Sequence, residues 1–173
     1  MATEISAIKR AIRYQDRWTS NGASLKDHEN YFKFRIEDKI AEKLKEKGKT
    51  EVLFLGVGKN PISLHELSRI FKSELDAGKL KLHATHITSK SEWSAYIKRH
   101  KELPVTFYKA TIPMIRKKGL KFDIIVDRLG AILFSNDKKN SFIEAKKLLE
   151  RNGILVTEMN WIGELRNRWK SKS

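Results

Sequence analysis

The sequence predicts an α/β fold: a three-layer sandwich whose mostly parallel sheet of about five strands is preceded by two N-terminal helices. Two observations support this. From residue 51 onward, short apolar runs alternate with longer segments of helical periodicity. Such alternation is typical of parallel strands joined by right-handed helical crossovers. With 173 residues, the chain is long enough for a single domain, 1–173, with a substantial buried core.

Two amphipathic helices are expected before the sheet. Residues 4–18 place apolar side chains at helical spacing among Arg and Lys, and the turn-forming run 19–22 follows. Residues 25–47 carry a second apolar stripe, which Gly48 ends. We therefore assign residues 1–49 to a helical extension.

The core of the domain, residues 50–160, is expected to alternate strand and helix, and a basic tail, 161–173, follows it. The strands are predicted at 51–56, 81–87, 105–108, 122–126 and 154–159, and the intervening helices at 62–77, 92–101, 111–119 (as a loop or short helix) and 140–151.

The most informative segment runs from Glu51 to Asn60, where a buried strand leads into a glycine turn with a helix behind it. Gly56 and Gly58 let the backbone turn sharply and approach a ligand closely. The helix that follows is expected to offer free N–H groups at its start. The pattern indicates a nucleotide-type ligand, and the alternative is a tight strand-to-helix turn without one.

Composition indicates the partner and the compartment. The net charge is +15, from 36 Lys+Arg against 21 Asp+Glu, and a basic surface attracts phosphate-rich partners such as nucleic acid. The equal alternative is a lysine-rich surface that only keeps the protein in solution, which the dispersal of the lysines along the chain supports. Cysteine is absent, which excludes disulfides and thiolate metal sites. No apolar run reaches the roughly 20 residues that span a bilayer, and residues 1–4 begin without a secretory h-region. We expect a cytoplasmic protein with no transmembrane segment.

Three segments together resemble the class I, Rossmann-like methyltransferases that use S-adenosylmethionine. Residues 52–60 resemble the first motif of that family, a strand followed by a G-x-G-x-G turn. Residues 121–127 are similar to its FDxIxx fourth strand, and residues 148–156 to its LLxxGGxLV entry into the fifth strand. In order and separation these segments cover about residues 50–160.

The resemblance implies a bound S-adenosylmethionine and a set of site residues. The implied cofactor-binding residues are Gly56, Val57, Gly58, Asn60 and, near the ribose, His86. Asp127 is the catalytic candidate, because it is expected at the carboxyl end of the fourth strand, where open α/β sheets bind ligands. Asp123 is expected to cap or pair near the start of the same strand.

The sequence also departs from the family pattern. Phe54 stands where the first strand usually has an acidic residue, and His86 stands near the usual ribose carboxylate. Asn60 replaces the last turn glycine, which is tolerable because Asn adopts the left-handed conformation comparatively well. Residues 127–130 replace the NPPY-type motif, which argues against methylation of DNA bases and leaves O-methylation and protein methylation open. Strands six and seven have no counterpart, so the sheet is trimmed or a partner completes its edge.

Two functions follow as hypotheses. The first is a methyltransferase acting on RNA or another phosphate-bearing substrate. The second is a catalytically inactive methyltransferase-like fold that binds nucleic acid or protein. A protein partner or a second copy of the chain would dock on helices 4–18 and 25–47 or on the sheet edge. We assign no metal site, because His83 and His86, three apart on a strand, point to opposite faces.

Overall fold

The computed structural model describes residues 22–128, 131–132, 135 and 137–157. The predicted helix over 4–18 and the tail 161–173 lie outside the described residues. Among the described helices, none is long and apolar enough to cross a bilayer. In chain order the elements are α1 (Leu25–Phe32), α2 (Ile36–Lys47), β1 (Thr50–Phe54), α3 (Ile62–Ile70), α4 (Lys72–Asp76), β2 (Leu80–Thr85), α5 (Lys90–Arg99), β3 (Val105–Tyr108), α6 (Ile112–Lys117), β4 (Phe122–Asp127), α7 (Lys138–Lys147) and β5 (Leu149–Thr157).

The five strands form one parallel sheet in the order β3-β2-β1-β4-β5. Phe54 at the end of β1 is in register with Ala84 of β2 and Val126 of β4. The chain moves outward from β1 to β3 and then returns to β4 on the other side. The direction of winding therefore reverses between β1 and β4, which is where open α/β sheets form their ligand crevice.

Helices cover both faces of this sheet. On one face, side chains of α1, α2 and α3 pack against Val52, Phe54 and Ile124. On the other face, α6 and α7 pack against Leu53 and Ile125. Every residue of β4 is buried, as expected for a central parallel strand. The structure confirms the predicted α/β fold with a Rossmann-like parallel sheet.

The predicted helix over 25–47 is two helices. Lys33 adopts the left-handed conformation (φ 63°), and its N–H donates to the carbonyl of Glu29 at 2.8 Å, which ends α1. The break lets both Phe32 and Phe34 pack against the core. In a continuous helix, residues two apart would point in nearly opposite directions. The apolar periodicity was correct for each half and wrong across the junction.

Two other predicted boundaries were wrong. The helix over 62–77 breaks at Phe71 (φ −106°, ψ 31°), whose side chain is buried in the core. The last helix ends at Lys147, and β5 starts at Leu149, earlier than the predicted 154. A bulge follows that start, since the register against β4 shifts between Phe122 and Ile124.

Candidate functional site at the carboxyl edge of the sheet

The glycine turn after β1 lies where the winding of the sheet reverses. The N–H of Leu55 still donates to the carbonyl of Val126 at 2.8 Å, so the ladder with β4 extends to this point. Gly56 and Gly58 then both adopt φ 69°. Side chains carry a steric cost in this left-handed region, and glycine does not. The two glycines therefore leave both left-handed positions of the bend without a side chain, while Val57 between them packs against the core.

Thr85, the last residue of β2, holds the turn in place. Its hydroxyl accepts a hydrogen bond from the N–H of Gly56 at 2.9 Å, and its carbonyl accepts one from the N–H of Val57 at 3.1 Å. Thr85 is buried. Sequence reasoning missed this residue, although a hydroxyl ending the strand beside a glycine turn was the available signal.

The start of α3 does not offer free N–H groups, contrary to expectation. The N–H of Ile62 donates to the carbonyl of Asn60 at 2.9 Å, and those of Leu64 and His65 donate to the carbonyl of Pro61. The N–H of Ser63 donates to the carbonyl of Ala23 at 3.0 Å, so the segment leading into α1 occupies this end of the helix. A ligand at this edge would have to use the turn itself.

His86 is packed among aromatic rings. Its imidazole stacks on Tyr96, with centroids 4.1 Å apart and planes 20° apart, and the residue is 2% exposed. The N–H of His86 donates to the carbonyl of Tyr108 at 3.0 Å. Burial lowers the pKa of His86 to about 4, so the ring is neutral at pH 7. The assignment of His86 to a ribose stays a prediction, and in this conformation the ring serves packing.

Asp127 ends β4 and is 1% exposed. One carboxylate oxygen accepts from the N–H of Ile132 at 3.4 Å, and the other accepts from the hydroxyl of Thr157 at 3.3 Å. The side chain thus ties the segment after β4 to the end of β5. It lies at the predicted edge of the sheet, and its catalytic role stays a prediction.

Glu92 is a carboxylate at this edge that sequence reasoning missed. It accepts hydrogen bonds from the hydroxyl of Thr88 at 2.6 Å and from the hydroxyl and N–H of Ser89 at 2.7 and 3.2 Å. These hydrogen bonds, with a smaller contribution from the charge of Lys59 in the glycine turn, lower the pKa of Glu92 to about 2. A Ser-x-x-Glu capping box at the start of α5 was the sequence signal.

Phe54, which stands where the family has an acidic residue, belongs to the core. It is 3% exposed, and the ring of His28 from α1 meets it edge-on at 6.0 Å. The guanidinium of Arg128 lies over the ring of Tyr31, 5.4 Å from its centroid. Burial, followed by the charge of Arg128, lowers the pKa of His28 to about 4. Helix α1 therefore places the ring of His28 against the end of β1, and its Tyr31 contacts the guanidinium of Arg128, which directly follows β4.

Asp123 lies at the opposite, amino edge of the sheet, as its position near the strand start predicts. Its carboxylate accepts from the ammonium of Lys47 at the end of α2. It also accepts from the N–H of Glu51 at 2.9 Å. This buried side chain links α2, β1 and β4, so it has a structural role.

Comparisons with known proteins place the fold. No family model matches the sequence, and no curated protein matches it. Among solved structures, a candidate sarcosine dimethylglycine methyltransferase from Galdieria sulphuraria is 18% identical with a TM-score of 0.50, covering 78% of this chain and 53% of that one. PKMT2 from Rickettsia typhi, solved with AdoHcy, is 22% identical with a TM-score of 0.47, covering 62% and 20%. An S-adenosylmethionine-dependent methyltransferase from Clostridium acetobutylicum is 20% identical with a TM-score of 0.46, covering 69% and 47%.

The chain spans about half, or less, of the length of these solved proteins. At such identities the similarity defines the fold. The chain has the Rossmann-like fold of class I methyltransferases, as the three sequence segments indicated.

Proposed function

We propose that this chain is an S-adenosylmethionine-dependent methyltransferase acting on RNA or another phosphate-bearing acceptor. The observation that carries the proposal is the pair of left-handed glycines, Gly56 and Gly58, at the point where the winding of the sheet reverses. Left-handed glycines on either side of Val57, whose side chain packs toward the core, support a close approach of a ligand to the backbone of the turn. The absence of cysteine fits a reducing compartment, and we propose a cytoplasmic location.

We propose that residues of the glycine turn hold an adenosyl compound. Gly56, Val57, Gly58 and Asn60 would hold it along the turn, with His86 toward the ribose. When bound, the cofactor supplies a methyl group activated by its sulfonium. The protein contributes by orienting the acceptor in line with that group and by excluding water. Asp127 would position the acceptor at the reacting end.

The phosphate-bearing acceptor is proposed from charge. The net charge of +15 gives the surface an attraction for polyanions that falls steeply with salt. The cofactor and the acceptor are separate parts of the proposal, because either could bind without the other.

Calorimetry with S-adenosylhomocysteine tests the cofactor site. We expect the unmodified protein to bind and Gly58→Arg to show no binding, because the new side chain would enter the bend. Gly78→Arg is the matched control: Gly78 has φ 65°, close to that of Gly58, and nothing lies within 4 Å of an added Cβ. Gly78→Arg carries the same charge and similar backbone strain and should still bind. Absence of heat with the unmodified protein would overturn the enzymatic proposal.

The second candidate is a catalytically inactive fold that binds nucleic acid or protein. Two observations favour it: Phe54 is packed in the core, and the imidazole of His86 is buried against Tyr96. In that case RNA binding with a steep salt dependence would persist without any cofactor binding. Under this second candidate, a partner protein or a second copy of the chain would bind the free edge of the sheet.

A further inference from the structure

We propose that the amino edge of the sheet, opposite the candidate cofactor edge, binds the sugar-phosphate backbone of RNA. The inference rests on the proposed function for the choice of RNA and locates that partner. It concerns a surface that the cofactor proposal does not use, so the two can fail separately.

Basic side chains converge on the amino edge because of the topology. Four helices, α2, α5, α6 and α7, each run into the start of a strand through a short connection. Their C-terminal ends therefore lie at that edge. The basic residues in their last turns are Lys45 and Lys47, Lys98 and Arg99, Arg116 and Lys117, and Lys146 and Lys147.

Stabilisation of helix ends accounts for these last-turn residues but not for the lysines beyond them. A cation in the last turn interacts favourably with the helix dipole, by about 0.3–1 kcal/mol. Lys49 and Lys79 lie beyond the last turns, directly before β1 and β2, whereas Lys118 is the C-cap residue of α6. All three are exposed, and within the part of the chain that the structure describes none has an ion-pair partner.

A repeated turn brings lysine to this edge. Gly48, Gly78 and Gly119 have φ between 65° and 71°, and nothing lies within 4 Å of a Cβ added to any of them. A lysine follows each glycine directly or after one residue. Left-handed glycine is a common helix ending by itself. Here it also leaves bare backbone beside an exposed cation, which allows a phosphate strand to approach closely.

A recess of about 400 Å³ opens between two of these turns. Its basic residues are Lys47, Lys49 and Lys121, and its acidic residues are Glu51, Asp123 and Glu150. Two of the three carboxylates already form ion pairs with lysines. Asp123 pairs with Lys47, and Glu51 pairs with Lys81 at 2.9 Å. The third acid, Glu150, would repel a phosphate. Among the described residues, the positive charge without an ion-pair partner comes from Lys49, together with Lys79 and Lys118 nearby.

The side chains indicate contact with phosphates rather than with bases. Near this edge Phe122 and His83 are buried, 0% and 6% exposed, and the partly exposed ring of Tyr108 is stacked against His83. Bases therefore find no stacking platform here, and binding should be independent of sequence and strongly dependent on salt. A concave recess also suits a flexible strand better than a flat bilayer. The exposed large apolar residues of the described part, Ile62, Ile70 and Ile143, lie on helices rather than beside these turns.

Fluorescence anisotropy with a labelled oligouridylate, without methyl donor, tests the surface. The test variant is Lys49→Ala/Lys79→Ala/Lys118→Ala. The matched control is Lys26→Ala/Lys90→Ala/Lys138→Ala, which removes the same charge from helices whose N-terminal ends lie at the carboxyl edge. We expect the test variant to lose about tenfold or more in affinity and to reduce the salt slope by about 2, while the control changes little.

Equal losses in both variants would show that only the net charge acts, and would overturn the proposal. So would unmodified protein that fails to bind the oligouridylate, or that prefers phosphatidylserine vesicles to it. Circular dichroism of both variants verifies their folding. Calorimetry with S-adenosylhomocysteine on the test variant should match the unmodified protein. RNA binding without cofactor binding would leave this inference standing while the proposed methyltransferase fails.

Discussion

The carboxyl and amino edges of the sheet are built from the same backbone device in different surroundings. At the carboxyl edge, the left-handed glycines Gly56 and Gly58 follow a strand, and the hydroxyl and carbonyl of Thr85 bind the turn. At the amino edge, left-handed glycines precede strands, and open space surrounds them. The conformation of a glycine is therefore not informative about function until its neighbours are known.

The two edges also differ in which ionisable side chains are buried and in whether those side chains are paired. Around the carboxyl edge, His28 and His86 are buried as neutral rings. At the amino edge, Asp123 is buried as an ion paired with Lys47. Burial also lowers the pKa of His83 near the amino edge, so the contrast lies in the buried ion pair, and removal of a carboxylate should destabilise the amino edge.

The largest expected effect is acid destabilisation through the carboxyl-edge histidines. Burial lowers the pKa of His28 and of His86 from 6.5 to about 4. The unfolded chain thus binds protons below pH 6.5 that the folded protein does not accept until near pH 4, so stability is full above pH 6.5 and is lost as the pH falls toward 4. Between about pH 7 and pH 5, each histidine should cost about 2 kcal/mol.

Urea unfolding at both pH values measures this loss. His28→Phe keeps a ring against Phe54 and should remove about 2 kcal/mol of the pH dependence. His65→Gln is the control, because His65 is exposed and should leave the loss unchanged. A pH dependence that persists in full in His28→Phe would show that the imidazole of His28 is not buried as a neutral group.

At the amino edge, Asp123→Ala should lower the free energy of unfolding by about 3 kcal/mol. The change leaves the N–H of Glu51 without its acceptor and removes the partner of Lys47. Asp123→Asn retains an acceptor for the N–H and loses only the charge, so it should cost less. Chemical denaturation of both variants measures the difference. Equal costs would assign the whole effect to the ion pair.

A paired glycine substitution compares the turns directly. Gly56→Ala and Gly78→Ala each place a methyl group at a left-handed position and should each cost about 1–2 kcal/mol. Only Gly56→Ala should also weaken the binding of S-adenosylhomocysteine in calorimetry. Equal affinities of the two variants for S-adenosylhomocysteine would show that the turn at Gly56 is not part of the ligand site.

The smallest expected effect concerns the helix that begins at the carboxyl edge. Ser89 caps α5, accepting from the N–H of Glu92 at 3.2 Å while Glu92 accepts in return. Ser89→Ala should cost about 1 kcal/mol in thermal or urea unfolding. Ser89→Asp retains a capping oxygen and should recover most of that stability. A full loss in Ser89→Asp would indicate that the hydroxyl acts on Glu92 rather than on the helix end.

The sequence predicts much of this fold because its signals are local. β3 (105–108) matches its predicted bounds, and glycines marked the ends of α2 and of the helical run through α4. The break at Lys33 was not predictable from periodicity, because it depends on Phe32 and Phe34 both reaching the core. Lysine, unlike glycine or asparagine, gives no compositional signal for the left-handed region.

The site was only partly predictable. The turn at Gly56 and Gly58 followed from glycine spacing, and the position of Asp127 at a strand end followed from the parallel sheet. The role of Thr85 was hidden, since its contact with Gly56 joins residues 29 positions apart. The burial of His86 depends on Tyr96 from the next helix, a tertiary contact that no strand pattern encodes.

Gly22 lies directly beside the loop before α3, in the segment leading into α1 that covers the start of α3. A Cβ at position 22 would overlap the carbonyl of Asn60, and the next residue, Ala23, is bonded to Ser63. Even a methyl group there would push the segment leading into α1 away from the loop before α3. Under the proposed function, affinity for an adenosyl compound would then depend on a residue outside the glycine turn.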